Sequence, residues 1–134
     1  MKKILLCMML AFSLVLSGCG GDNRLSKDAY IDKITTLNQD VIDIANSVYY
    51  STDATKIKEA SAKMKSIVKE MIALKGPKNM QTKEDALDKT LNEYLTLFDD
   101  AVKMRVDKTM TYDEYMKKAT QVDNDFAKAY EAYN

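Results

Sequence analysis

The chain has no histidine, no tryptophan, a single proline, four glycines and two cysteines, Cys7 and Cys19, in 134 residues. Without histidine the commonest general base and metal ligand is missing, so most hydrolytic and metal-site chemistry is excluded. No glycine-rich phosphate loop and no dinucleotide fingerprint occurs. An excess of one charge is also missing, because 20 Lys and Arg balance 20 Asp and Glu. What is present, 46% apolar and 30% charged residues, describes one small ordered domain.

The N-terminal segment reads as an address. Met1-Lys2-Lys3 precedes an apolar run from Ile4 to Leu16, shorter than the roughly 20 residues that span a bilayer. A positive start followed by a short apolar stretch is the layout of a secretory signal peptide. The run ends at Leu16-Ser17-Gly18-Cys19, which resembles the lipobox of bacterial lipoproteins. That resemblance implies cleavage between Gly18 and Cys19, a diacylglycerol thioether on Cys19 and further acylation of the new N-terminus. One acyl chain holds a protein only marginally, whereas two or three anchor it persistently. Residues 1–18 are therefore expected to be removed, leaving a chain tied to the extracytoplasmic face of the cell membrane without crossing it. Loss of Lys2 and Lys3 leaves 18 basic against 20 acidic residues, and a net charge near −2 gives nucleic acid no electrostatic hold. Loss of Cys7 and lipidation of Cys19 leave no free thiol.

Residues 19–25, with Gly20-Gly21-Asp22-Asn23-Arg24, have the composition of a flexible tether. Residues 26–134 then carry four helical patterns. Ser26 is a fitting N-cap, and Tyr30, Ile34, Leu37, Val41, Ile44 and Val48 recur at spacings of three and four, the period of a helix and not of a strand. Beyond the cap-forming Ser51-Thr52-Asp53, the residues Ile57, Ala60, Met64, Ile67, Met71 and Leu74 repeat that spacing up to Gly76-Pro77. There glycine admits the left-handed terminal conformation and proline ends the helix. Thr82 with Asp85 suggests a capping box for a third helix, its seam formed by Leu87, Leu91, Tyr94, Phe98 and Ala101, running to about Val106. Thr111 with Glu114 forms a second capping box, and Tyr112, Tyr115, Ala119, Val122, Phe126, Ala129 and Tyr133 line the fourth. Short connections between helices of matched length predict an all-α, antiparallel up-down-up-down four-helix bundle.

Chemistry on this frame is sparse. The carboxylates Asp40 with Asp43, Asp85 with Asp88, Asp99-Asp100 and Asp123 with Asp125 fall mostly outside the seams, as a solvated face does. Asp123-Asn124-Asp125 opens like a calcium loop but lacks the glycine and distal glutamate that such a loop requires. The lysines of the second helix, with Lys58, Lys65 and Lys69 opposite its apolar seam, form an ordinary solvated face or a site for anionic headgroups and polymers. Eight tyrosines against three phenylalanines weight the aromatics toward amphipathic rings. The topology brings Tyr49, Tyr50, Tyr112 and Tyr115 to the end of the bundle far from the tether, where tyrosine's rigid area and polar tip suit recognition.

Beyond residue 19 the layout is similar to small helical lipoproteins of Gram-positive bacteria, through the Tyr-Ile-x-Lys-Ile run from Tyr30 to Ile34 and the Gly-Pro break before a long helix. The expected function is a non-enzymatic binding module at the cell envelope, without cofactor or metal. It would hold the membrane through acylated Cys19 and an envelope protein or polymer through the distal tyrosines. The alternative is a precursor role, because residues 11–18 resemble the octapeptide pheromones that enterococci release from lipoprotein signal sequences.

Overall fold

The computed structural model describes residues 23–133. The signal segment, the Gly18–Cys19 processing site, the lipidated cysteine and the octapeptide at 11–18 lie outside the described residues. Four helices, α1 (Lys27–Ser47), α2 (Ala54–Ala73), α3 (Gln81–Val102) and α4 (Tyr112–Tyr133), follow one another with no strand among the described residues. Each packs on the next in sequence. The Leu25 amide donates to the Lys75 carbonyl at 2.7 Å and the Tyr30 ring stacks on Tyr133 at 4.7 Å. The start of α1 therefore lies beside the ends of α2 and α4, and the fold is the antiparallel up-down-up-down four-helix bundle that the periodicity predicts.

The capping residues act largely as their spacing requires. The Ser26 hydroxyl accepts from the Ala29 amide, and the Asp53 carboxylate accepts from the amides of Thr55 and Lys56. Thr111 and Glu114 close a reciprocal box, the Thr111 amide donating to the glutamate at 2.8 Å and the Glu114 amide donating to the Thr111 hydroxyl at 3.2 Å. The third helix departs from expectation at both ends. It begins at Gln81 after a single 3-10 turn, Lys78–Met80, with no side-chain cap, so Thr82 and Asp85 form no box and Gln81 Nε2 donates to the Asp85 carboxylate instead at 2.8 Å. It ends at Val102 and passes into a π turn, Lys103–Asp107, closed by Lys108 at φ 58°. That wider turn brings a guanidinium nitrogen of Arg105 within 2.7 to 3.1 Å of the Val48, Tyr49 and Ser51 carbonyls, which ties the two distal connections together.

The core runs through Tyr30, Ile34, Met64, Val68, Met71, Leu87, Leu91, Phe98 and Tyr133. Burial is uneven along α1, where Tyr30 and Ile34 are fully enclosed while Leu37, Val41, Ile44 and Val48 are only half-buried. The helix is covered at its proximal end and partly uncovered toward its distal one.

Gly76 serves a different purpose from the left-handed helix end expected of it. α2 stops earlier, at Ala73 with an extended Leu74, and Gly76 is buried where a Cβ would overlap the Tyr133 hydroxyl and come within 3.3 Å of the Glu84 carboxylate. The missing side chain admits the end of α4. Gly76→Ala should therefore cost about 1 to 3 kcal/mol in urea unfolding. Removing the obstructing hydroxyl with Tyr133→Phe should restore at least half of that loss in the double variant. Additive effects of the two substitutions would show that this approach is not what constrains the site.

Candidate functional site

Three places gather polar chemistry or accessible apolar surface, and the first is the proximal end. Glu84, fully buried, accepts from the Gly76 amide at 2.9 Å and from Lys75 Nζ at 3.1 Å, with the Arg24 guanidinium 3.8 Å away. Arg24 also donates to the Gly76 carbonyl and to the Gln81 side chain, each at 2.9 Å. Arg24 and Leu25 thus belong to the folded unit rather than to a flexible tether. A buried carboxylate is tolerated only when cations and donors surround it in this way.

Beside it, Asp88 shares Lys75 at 3.8 Å, and one of its oxygens is buried without a hydrogen bond. Burial pushes this carboxyl up to about 6; Lys75 opposes the shift, while Glu84 and Asp85 add to it. The buried hydroxyls of Tyr30 and Tyr133 likewise meet no partner among the described residues, and burial raises both phenols above their ordinary range.

A second buried carboxylate, Asp100, lies at the end of α3. Burial pushes it up, but hydrogen bonds from Lys103 at 2.8 Å and Lys118 at 2.7 Å outweigh that effect and hold it below the usual range. Of the carboxylates expected on a solvated face, Asp40, Asp43, Asp85, Asp99 and Asp123 are exposed, Asp88 and Asp125 are half-buried, and Asp100 departs from the expectation by being buried. The lysines of α2 are exposed apart from the half-buried Lys65, as a solvated face is. Lys65 pairs with Asp99 at 2.8 Å and Lys58 with Asp107 at 3.8 Å across that face. Asp125 bonds Gln121 and Asp123 bonds Tyr94, and no cluster of three metal-ligating side chains occurs among the described residues.

The second place is the distal end. Tyr49, Tyr50 and Tyr112 are 67%, 91% and 63% exposed, and the first two meet edge to face at 4.7 Å. Tyr115 differs. It is half-buried and turned into the interior beside Ala119 and Asp123, where burial raises its phenol, Asp123 and Asp100 add to the shift and Arg105 opposes it. The four tyrosines therefore divide into an exposed three and one that lines a cavity. Ile42 and Met116 are the other exposed large apolar residues, on the distal halves of α1 and α4.

The cavity is the third place, about 300 Å3 in volume and walled by all four helices. Buried Val68, Met71, Leu91, Leu97 and Phe98 form its floor, and Val41 and Ile42 of α1 face Ala119 and Phe126 of α4 across it. The Tyr94 hydroxyl donates to Asp123 at 2.5 Å, and burial followed by that bond raises the Tyr94 phenol well above its ordinary range. Aromatic contacts continue from Phe98 through Tyr94 and Phe126 to Tyr130, and the Tyr130 hydroxyl shares a 2.7 Å hydrogen bond with Thr35. This link and the Tyr30–Tyr133 stack join α1 to α4 below the cavity. The sequence pattern put these residues on interior faces but gave no signal that α1 and α4 separate above the Thr35–Tyr130 bond.

No family model matches the chain, and neither a curated protein nor a solved structure is significantly similar to it.

Asp88 makes stability depend on pH. Asp88 binds its proton more tightly folded than unfolded, so its contribution is complete below about pH 4 and is lost as pH rises through about 6. Stability measured by urea unfolding should be greater at pH 5 than at pH 7.5 by on the order of 1 to 2 kcal/mol, and Asp88→Asn should flatten that difference. Asp100 acts in the opposite sense, its ionised form supporting the fold until the pH falls below the ordinary carboxylate range. An Asp88→Asn profile that still falls between pH 5 and 7.5 would assign the dependence to another group.

Proposed function

We propose that the chain is a lipoprotein of the cell envelope, anchored through acylated Cys19 on the extracytoplasmic face, and that it works as a non-enzymatic binding module. The observation that carries this reading is the placement of its exposed large apolar residues. Tyr49, Tyr50, Tyr112, Ile42 and Met116 all lie in the distal half, opposite the end where Arg24 and Leu25 enter the bundle. Exposed apolar groups cost solvation free energy, and a patch of them at one pole is the usual mark of an interaction surface. Tyrosine also suits an interface by giving large contact area with few rotamers to immobilise.

Two features of the described residues support the rest. No helix among them is long and apolar enough to cross a membrane; in this reading the anchor is the lipidated cysteine. The buried carboxylates Glu84 and Asp100 are engaged by lysines, an arginine or backbone amides, an arrangement that serves folding better than proton transfer to a substrate. In this reading the partner is an envelope protein or polymer that meets the distal pole.

The test uses the full acylated protein. Cys19→Ala should abolish incorporation of labelled fatty acid and release the protein from the membrane fraction. The pair Tyr49→Ala and Tyr112→Ala should reduce capture of its envelope partner at least about tenfold, equivalent to roughly 1.4 kcal/mol, with helicity and unfolding midpoint unchanged because both rings are exposed. Undiminished capture would remove the distal surface from the proposal, and fatty-acid labelling that persists without Cys19 would remove the anchor.

A further inference from the structure

We propose that the cavity between α1 and α4 binds a small organic cation with an apolar body, an aryl- or alkylammonium whose positive group rests against Asp123. The site is distinct from the distal tyrosine surface. It needs only the half-open cavity that the described helices wall.

The shape of the cavity argues for a small molecule. All four helices wall it, and about 300 Å3 is at the small end of the range of ligand pockets, which in helical bundles open between helices. Its floor is formed by side chains almost completely withdrawn from water, among them Val68, Met71 and Leu91 at 1 to 2% exposure. An occupant must therefore bring apolar surface to the floor.

Charge selects the other end of the occupant. Asp123, itself exposed to solvent, is the only charged residue lining the cavity, and it is in no ion pair with a lysine or arginine among the described residues. Its one hydrogen-bond donor there is the neutral Tyr94 hydroxyl. Tyr94, Phe98, Tyr115 and Phe126 supply aromatic rings around it, and ring faces attract an ammonium group through their quadrupole, most strongly where water is excluded. An anion of the same shape would meet a carboxylate with no cation paired to it among the described residues, a repulsion that opposes binding.

The opening above the Thr35–Tyr130 bond gives access. Ile42 of α1, 42% exposed, stands at the rim, and α1 above its second turn is only half-covered. A ligand enters between two helices that pack little on each other there.

Titration calorimetry on the full-length lipoprotein in phosphatidylcholine nanodiscs, with empty nanodiscs subtracted, decides the matter. The probes are benzyltrimethylammonium, phenylacetate and benzyl alcohol, which share a benzyl group and differ in charge. Benzyltrimethylammonium should bind saturably and at least about tenfold more tightly than phenylacetate, with benzyl alcohol between them. Asp123→Asn keeps an acceptor for the Tyr94 hydroxyl while removing the charge, and should weaken the cation at least about tenfold without moving the unfolding midpoint. Ala119→Phe, which fills the cavity, should abolish binding of all three, whereas Tyr49→Ala with Tyr112→Ala should leave it unchanged. Equal affinities for cation and anion, an undiminished affinity in Asp123→Asn, or no saturable binding of any probe up to millimolar concentrations would each overturn the proposal.

Discussion

The burial of Glu84 is the constraint on which the proximal half of the molecule rests. A carboxylate withdrawn from water must be surrounded by donors, and the donors here come from three separate stretches of chain. Arg24 approaches from before α1, Lys75 and the Gly76 amide come from the α2–α3 connection, and Gln81 lies one turn before Glu84 on α3 itself. Meeting that demand fixes how the chain enters the bundle and how α2 hands over to α3. It also fixes α4, because the connection drawn in around Glu84 is the one whose missing Cβ makes room for Tyr133. The Tyr133 ring then closes on Tyr30, and the end of the last helix is locked to the beginning of the first.

The distal half is organised by a weaker device. Arg105 gathers the carbonyls of the α1–α2 connection, and Asp100 holds lysines from the π turn and from α4. These contacts bind α3 to its neighbours on either side, yet neither joins α1 to α4. A partly exposed ion pair contributes little against the entropy of holding it, so apolar packing governs whether the seam closes. There the packing is incomplete, since Val41 remains half-buried and Ile42 exposed. The two poles consequently differ in kind. One is cemented by a buried charge and a ring stack, and the other is joined chiefly through its backbone carbonyls.

This difference explains what was legible in the sequence. Ser26, Asp53 and the Thr111–Glu114 box could be placed from sequence because capping is local, with partner amides only two or three residues away. The bundle and its topology were equally accessible, since a three-and-four spacing names a buried face and short connections dictate antiparallel neighbours. Glu84 and Asp100 were not, because a charged residue beside a seam is read as solvated, and its burial depends on donors brought from as far as Arg24, 60 residues before Glu84 in the numbering. At Gly76 the sequence pattern points to a different cause from the one that operates. A glycine before proline signals a helix end, whereas the requirement at this position comes from a tyrosine at the other end of the chain. Tyr115 and the cavity belong to the same class, for periodicity assigns a residue to the inner face without stating whether the opposing face reaches it.

The open seam has an energetic meaning of its own. Closing α1 onto α4 would bury Ile42 and the half-covered side chains near it, at roughly 25 cal/mol for each Å2 of apolar surface withdrawn from water. What opposes closure is the bulk already between the helices. The Phe98, Tyr94, Phe126 and Tyr130 rings follow one another at centroid separations of 5.6 to 6.0 Å, forming a rigid ladder that spans α3 and α4 and reaches α1 only through Thr35. Aromatic side chains have few torsions with which to accommodate a closer approach. The ladder meets α1 at the Thr35–Tyr130 bond, and beyond that point Tyr94, Phe98 and Phe126 wall the cavity on its α3 and α4 sides. The same rings that stabilise the interior keep part of it open, and Asp123, bonded to one of them, gives that opening its charge.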